Sequence, residues 1–454
     1  MAKRSGLVVP AVLAVLACTV CVNLAGALPS PVLQAQVVPI QRPTASASFA
    51  AVDYGKKTSS NDDRTGTTSW RVIQGTGNCC ENYLAATPGG RLLDFGGSFI
   101  NYTDDRGLTW YQVRPLTPLV NGEGTIVVAP NGDVDAIGWD PYSGDHLQAF
   151  KYEAFSGNWY YAEQPLHQPF YDREWITVLP GPYSIDGRTV PYLTFVKGGY
   201  PWKDPAFYSA DGLTYTDASS MFLDETLNQP IEGALHTSAD STFDWIQPNT
   251  GSGMTALGAG AALASGEVTT DWGLLDPSTR SWRTFTFPGG VSPQGLHQVD
   301  SAGRIDNVVP KGSGFDYRIS SDGGLTWHTL SIALPAGFSI DQIDFRVDKA
   351  LGIAAVAVHA LNGATGNDQD YAYKLNIATD QPFLQRRYTV GKGDVGSAAG
   401  VGNSVRMDFQ TVAILPDGRL ALSFLDSTTH YPSPTTGLEQ ARPALAIEQA
   451  SSFR

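Results

Sequence analysis

Cysteine is scarce in this chain: four among 454 residues, with Cys18 and Cys21 in an apolar N-terminal stretch and Cys79 and Cys80 side by side. That count excludes a fold stapled by several disulfides. With no histidine or second cysteine pair at ligand spacing, it also argues against a zinc site there. Charge is thin as well. Only 16% of residues are charged, low for a helical protein, and no long window sustains a helical period of apolar positions. The sequence has no phosphate-cradling glycine loop, zinc-ligand spacing or serine-nucleophile elbow, and no cofactor is expected. Lys and Arg number 30 against 44 Asp and Glu, a formal net charge of −14. That balance tells against nucleic acid and anionic membranes as partners of the whole surface, while leaving room for a local basic pocket that holds an anionic sugar.

The one long apolar run is N-terminal. Lys3 and Arg4 precede Leu7 to Val22, and Ala25-Gly26-Ala27 offers small residues for cleavage, so residues 1–27 read as a secretory signal peptide and the protein as secreted. An uncleaved anchor is the poorer reading, because the run is short and interrupted by Thr19 and Asn23; no stable membrane span is expected. Lipoprotein processing at Cys18, after Val15-Leu16-Ala17, is a minor alternative. Residues 28–50, rich in Pro, Ser and Ala, read as a flexible leader, and residues 51–454 as one folded domain. Cys79 and Cys80 then either bond each other in an oxidising compartment or remain two small buried thiols, the disulfide being favoured. A monomer is expected.

What the chain has in quantity is glycine, 48 residues, and proline, 29, which supply many tight turns. Two segments share the form Ser/Thr-x-Asp-x-Gly-x-Thr-Trp: Thr103 to Trp110 and Ser320 to Trp327. This is an Asp box, a hairpin turn in which hydroxyl and carboxylate bond local N–H groups, glycine takes a conformation other residues resist, and tryptophan packs under the next strand. Weaker copies follow at Ser209 to Tyr215, Phe155 to Trp159 and Asp276 to Trp282, spaced roughly as four-stranded propeller blades are. Between them run hairpins with Pro-x-Gly turns, at Asn82 to Leu93, Gly124 to Val134 and Gln410 to Leu422, and similar ones from Glu174, Ile231, Leu296 and Gln342. The pattern predicts an all-β, single-domain propeller of about seven four-stranded blades, six being the alternative. The last blade is a strand short, so a strand near Ser69 to Gln74 is expected to close the ring.

The boxes and blade rhythm resemble the sialidase superfamily of Asp-box propellers, over residues 50–454. Leu84 to Trp110 is similar to a sialidase first blade. Such a blade opens on Phe/Tyr-Arg-Ile-Pro, whose arginine is one of three that clamp the sialate carboxylate; here that register holds Cys79-Cys80-Glu81-Asn82, with Cys80 in the arginine's place. A cysteine does not imitate a bidentate guanidinium, so the resemblance implies a divergent member.

Propeller ligands sit on the axis, where residues just before the innermost strands converge. Those positions hold Glu81, Glu123, Asp172-Arg173-Glu174, Glu232 with His236, His297, Asp344 with Arg346, and Arg406 with Asp408. A glycosidase would draw its acid and base or nucleophile from Glu81, Glu123, Asp172, Glu174 or Glu232, with a tyrosine as the sialidase-like variant. A polysaccharide lyase would instead use His236 or His297 with a tyrosine, while Arg173, Arg346 or Arg406 neutralises a uronate carboxylate. In either case Arg173, Glu174, Arg346, Arg406 and Asp408 are expected to bind substrate. A third reading is a non-catalytic glycan-binding propeller, its sugars stacked on Trp139, Tyr142, Trp159, Tyr160, Tyr161, Tyr171 and Trp175; blade packing is the plainer role for these rings. The expected partner throughout is an extracellular glycan or polysaccharide. Asn101-Tyr102-Thr103 has the form of a glycosylation sequon.

Overall fold

The computed structural model describes residues 70–74, 83–113, 124–165, 172–217, 304–393 and 411–449 with internal gaps, and isolated strands at 38–39, 44–45, 223–224, 229–230, 247–248, 255–257, 271–276, 281–286 and 296–299. All of these lie in one unit, Ala35–Arg454. Residues 1–27, read from the sequence as a signal peptide, and the Cys79–Cys80 pair lie outside the described residues.

Every described element is a strand. Six sheets have four or five of them; four strands of each pair antiparallel side by side, while Gln247–Pro248 adds to one sheet in parallel, against Leu296–Val299. The Asp105 sheet comprises Tyr83–Ala86, Leu92–Gly96, Phe99–Thr103 and Tyr111–Val113. The Gly157 sheet comprises Gly124–Val128, Val134–Trp139, His146–Glu153 and Asn158–Pro165. The Asp211 sheet comprises Asp172–Ile185, Arg188–Gly199, Ala206–Ser209 and Thr216–Asp217. The Asp322 sheet comprises Leu296–Val299, Ile305–Pro310, Gly314–Ser320 and His328–Ala333. The His359 sheet comprises Phe338–Asp348, Ile353–Asn362, Asp368–Asn376 and Phe383–Gly393. The closing sheet takes Val412–Ile414, Leu420–Pro432 and Glu439–Glu448 from late in the chain, and its fourth strand is Trp70–Gln74, paired antiparallel from Trp70 with Glu448 to Gln74 with Ala444. The missing strand is thus supplied where the sequence placed it. A three-stranded sheet, Thr255–Leu257, Asp271–Asp276 and Ser281–Thr286, and the pair Leu223–Asp224 with Gln229–Pro230 lie between the Asp211 and Asp322 sheets in sequence.

The Asp boxes join third to fourth strands. In the first, the Thr103 hydroxyl donates to Asp105 at 2.8 Å and accepts from the Gly107 N–H at 2.8 Å, while the Thr109 N–H donates to Asp105 at 2.7 Å. Ser209 and Asp211 make the same set although their box is one residue short. Trp110 is buried against Leu84, Leu92, Ala413 and Leu415, so the box also glues its sheet to the closing sheet. Three first-to-second turns follow one plan: the Thr87, Ala129 and Leu415 N–H groups donate to the carbonyls of Arg91, Asp133 and Arg419 at 2.7–2.8 Å, and Gly90, Gly132 and Gly418 take positive φ.

All these turns lie at one end. Gly132 approaches Pro88, Gly418 approaches Ile353, and Arg106 of an Asp box pairs with Asp417 of the closing sheet's first turn at 3.1 Å. First strands touch in succession, from Phe338–Asp348 through Val412–Ile414, Tyr83–Ala86 and Gly124–Val128 to Asp172–Ile185, then by way of Gln247–Pro248 and Leu296–Val299 back to Phe338–Asp348. That succession is the inner ring of a β-propeller. Apolar side chains on facing sheets fill the wedges between them, as where Phe95 meets Phe150 edge-on at 5.8 Å.

Buried polar contacts tie the wedges as well. Glu448 accepts from the Tyr388 hydroxyl at 2.6 Å, from Lys374 at 3.2 Å and from the Leu420 N–H at 3.0 Å. Lys151 and Asp135 of the Gly157 sheet meet Tyr192 and Thr194 of the Asp211 sheet, and Gly212 comes so close to Asp135 that no Cβ fits.

Three expectations meet specific outcomes. Val38–Pro39 and Thr44–Ala45, within the segment read as a leader, pair with the outer strands of the Gly157 and Asp105 sheets. Trp159 and Tyr161 are buried between sheets, so blade packing is their role. Asn101 is also buried and accepts a hydrogen bond from Gln112 at 3.2 Å, which seals the sequon inside the folded blade.

Candidate functional site

The inner ring is where chemistry-bearing side chains from distant parts of the chain meet. Asp344 and Arg346 are on Phe338–Asp348, the first strand of the His359 sheet. Alternation puts them on the same face as Gln342, with Phe345 turned to the opposite wedge, where it joins the core. One Asp344 oxygen accepts the Val412 N–H of the next inner strand at 2.9 Å; the other accepts from Arg346 at 2.7 Å. Asp344 therefore does both jobs open to a carboxylate here, holding a neighbouring strand and orienting a cation.

Arg346 also donates to the Phe345 carbonyl at 2.7 Å and to the Tyr83 hydroxyl, which belongs to the inner strand two sheets further round the ring. The guanidinium thus reaches past Val412–Ile414, and 31% of its side-chain surface stays open. Burial by itself would lower its affinity for the proton, but Asp344 and Tyr83 outweigh that and hold the group above the ordinary arginine value. It is a permanent, oriented cation at the ring. A planar guanidinium so placed suits an anion with two oxygens, a carboxylate above all.

A second cluster lies on the same face of the His359 sheet. His359 Nδ1 is 2.9 Å from Asp370 Oδ1, and its Nε2 is 3.9 Å from Asp341 Oδ2. Asp341 is the extra residue where the register shifts between Ile340 and Gln342. His359 and Asp370 are each about 2% exposed, so the pair is sealed beneath the ring and acts on strand placement, not on a substrate directly. Sequence reasoning named His236 and His297 and passed over His359. The signal was present: Ala355, Ala357 and His359 alternate on one face, and the histidine stands where a third methyl side chain would pack.

Of the other predicted residues, Asp172, Arg173 and Glu174 open the first strand of the Asp211 sheet, with a register shift between Asp172 and Glu174. His297 is the second residue of Leu296–Val299, opposite Asn307. Arg346 lies eight residues into a strand that begins at Phe338, not at Gln342 as the hairpin pattern suggested. Glu81, Glu123, Glu232, His236, Arg406 and Asp408 lie outside the described residues. Gly124, directly after Glu123, packs so tightly on the Phe95 ring that a Cβ would stand 2.2 Å from it. Among the described residues no group of three or more His, Cys, Asp or Glu side chains is arranged to hold a metal ion, and no helix is long and apolar enough to cross a membrane.

No family model matches the chain, and no curated protein does. Among solved structures it is similar to the polysaccharide lyase Uly1 at 12% identity, over 65% of this chain and 77% of that one, with a TM-score of 0.36. It is similar to the α-L-arabinofuranosidase ARB93A from Fusarium graminearum at 10% identity, over 80% and 91%, with a TM-score of 0.33. It is similar also to the Dos1 propeller at 8% identity, over 81% and 76%, with a TM-score of 0.37. Likeness at this level concerns architecture and carries nothing about chemistry.

Proposed function

We propose that this chain is a secreted, carbohydrate-acting propeller that receives an acidic sugar at its inner ring, most simply as a sialidase-like glycoside hydrolase on extracellular glycans. One observation carries the reading. Arg346, partly open and fixed by Asp344, is bonded to the hydroxyl of Tyr83, itself only 7% exposed, a pairing that supports a carboxylate anchor beside a phenol. A tyrosine nucleophile beside a guanidinium is what sialidase-like hydrolysis requires, and Tyr83 supplies the tyrosine that sequence left unassigned. The proton-transferring carboxylates in this proposal are Glu81, Glu123, Asp172 and Glu232, with Arg173, Glu174, Arg406 and Asp408 on the remaining sugar oxygens. Seven blades, with residues 255–286 belonging to one of them, is the count this proposal takes.

The same pair favours uronate elimination as a second reading, with Arg346 neutralising the carboxylate and Tyr83 handling the proton in company with His236 or His297. The mature protein should be offered sialylated, uronate-containing and neutral glycans, with reducing ends and unsaturated products scored separately. Turnover confined to acidic glycans is expected. Tyr83→Phe and Arg346→Lys should each lower kcat/KM at least about 100-fold with melting temperature kept within a few degrees. Equal turnover of neutral glycans, or full activity in both variants, would overturn the assignment.

A further inference from the structure

The wedge between the Gly157 and Asp211 sheets holds a lysine and an aspartate that the inner-ring chemistry does not use. Lys151 and Asp135 stand directly opposite each other on neighbouring antiparallel strands, and Lys151 Nζ lies 3.3 Å from Asp135 Oδ1. Both are buried, Asp135 completely. Burial outweighs the nearby Lys151 and the Thr194 hydroxyl and raises the Asp135 carboxyl above its ordinary proton affinity, which favours the protonated acid. Moving one proton within the pair turns ammonium and carboxylate into amine and carboxylic acid. Held in contact and shut off from water, those two neutral groups are the reactants of an amide bond.

Three neighbours stand where such a condensation needs them. Thr194, from the Asp211 sheet, donates its hydroxyl to Asp135 Oδ2, the oxygen on which negative charge gathers when nitrogen attacks Cγ. The Tyr192 hydroxyl accepts from Lys151 Nζ at 2.6 Å and lies 3.4 Å from both Asp135 Oδ1 and Asp133 Oδ2. One hydroxyl therefore touches the nucleophile, the leaving oxygen and a second carboxylate. Asp133 Oδ2 is itself 3.8 Å from Lys151 Nζ. The Asp133 charge does not depend on the lysine, because the Ala154 N–H and the Asn131 side-chain amide each donate to it at 2.9 Å. Gly212 completes the enclosure: a Cβ added there would stand 2.2 Å from Asp135 Oδ1, so the glycine backbone closes that side of the carboxyl group to water.

We propose that Lys151 and Asp135 are joined by an isopeptide bond that the folded chain forms on itself, tying the second strand of the Gly157 sheet to the third. Lys151 Nζ attacks Asp135 Cγ; the C–N bond forms and the Cγ–Oδ1 bond breaks. Asp133 takes the surplus proton from nitrogen by way of the Tyr192 hydroxyl and returns it to Oδ1, which departs as water. No oxidant, cofactor or second substrate enters the step. Tryptic mapping of the purified chain, reduced and denatured in urea, tests it. Trypsin should fail to cut after Lys151, and the fragment spanning Asp135 and Lys151 should be lighter than its sequence by one water, with tandem spectra joining the two residues. Lys151→Arg keeps the positive charge but does not condense, so cleavage and full mass should return. Asp133→Asn should lower the cross-linked fraction of freshly made protein at least about tenfold. Normal cleavage after Lys151 in the wild type, at full fragment mass, would overturn the proposal and leave an ion pair in its place. Loss of water with that cleavage retained would overturn it too, since the missing water would then come from another carboxyl group. Undiminished cross-linking in Asp133→Asn would refute the step as written. The wild-type map decides the bond even where a variant folds poorly, and glycan turnover enters none of these readouts, so the result stands apart from the inner-ring assignment.

Discussion

The Asp322 carboxylate shows how much one side chain at a turn can organise. It accepts the Thr326 hydroxyl at 2.6 Å, the Thr326 N–H at 2.9 Å and the Ser320 hydroxyl at 2.8 Å, and these donors pull its proton affinity down to about 2. Because the folded value lies below the ordinary carboxylate value of about 4, ionised Asp322 stabilises the fold above about pH 4. That contribution fades as pH falls from about 4 through about 2. Asp322→Asn should therefore lower the melting temperature at pH 6 and make no difference near pH 2, so the two melting curves converge on acidification; parallel curves would contradict it. Arg106 is a different kind of turn residue. It is the one non-glycine with positive φ among the described residues, at 62°, a conformation it holds while pairing with Asp417 across a sheet boundary.

At the scale of elements, sheets are joined by apolar wedges and by a few buried acids. Glu448 sits in the closing sheet and is served by donors from its own sheet and the His359 sheet, so its loss leaves the half-buried Lys374 and the buried Tyr388 hydroxyl poorly matched. Glu448→Gln should cost roughly 1–3 kcal/mol in urea denaturation, and Glu448→Ala about 3–5. A change below about 0.5 kcal/mol in both would mean that the wedge, not the acid, joins these sheets. Hairpins were legible in the sequence because their determinants are local: each Asp box and each Pro-x-Gly turn is complete within about eight residues. Trp70–Gln74 was legible by deficit, since the last sheet lacked a strand. The site was legible only in outline. Arg346 was named, but its partners were not, because Asp344 bonds Val412 across 68 positions and Tyr83 meets it from the other end of the chain. His359 was missed because a histidine inside an apolar alternation looks like packing until Asp370 and Asp341 are brought beside it.

At the scale of the whole molecule, the ring is held shut by strands from opposite ends of the described chain. Trp70 is 9% exposed and meets Tyr388 edge-on at 5.1 Å, so the strand Trp70–Gln74 anchors both the closing sheet and the sheet beside it. Trp70→Ala should cost about 3–5 kcal/mol, and the loss should fall on the entire denaturation transition, because opening the ring at one seam releases strain and burial all round it. A separate low-temperature melting step, with the main transition unmoved, would show the closing sheet to be an independent unit. The same seam has a consequence for biosynthesis. Trp70 is made before any other residue of its sheet and pairs with Glu448, so at roughly 5–20 residues per second its partner emerges on the order of tens of seconds later. Throughout that interval the nascent chain is an open arc with two bare edges, and no earlier strand of its own sheet is available to cover them. Maturation is therefore timed by the last strand to be synthesised, and a chain cut short before residue 439 would be left as an unclosed arc, exposed to proteases and to edge-to-edge aggregation.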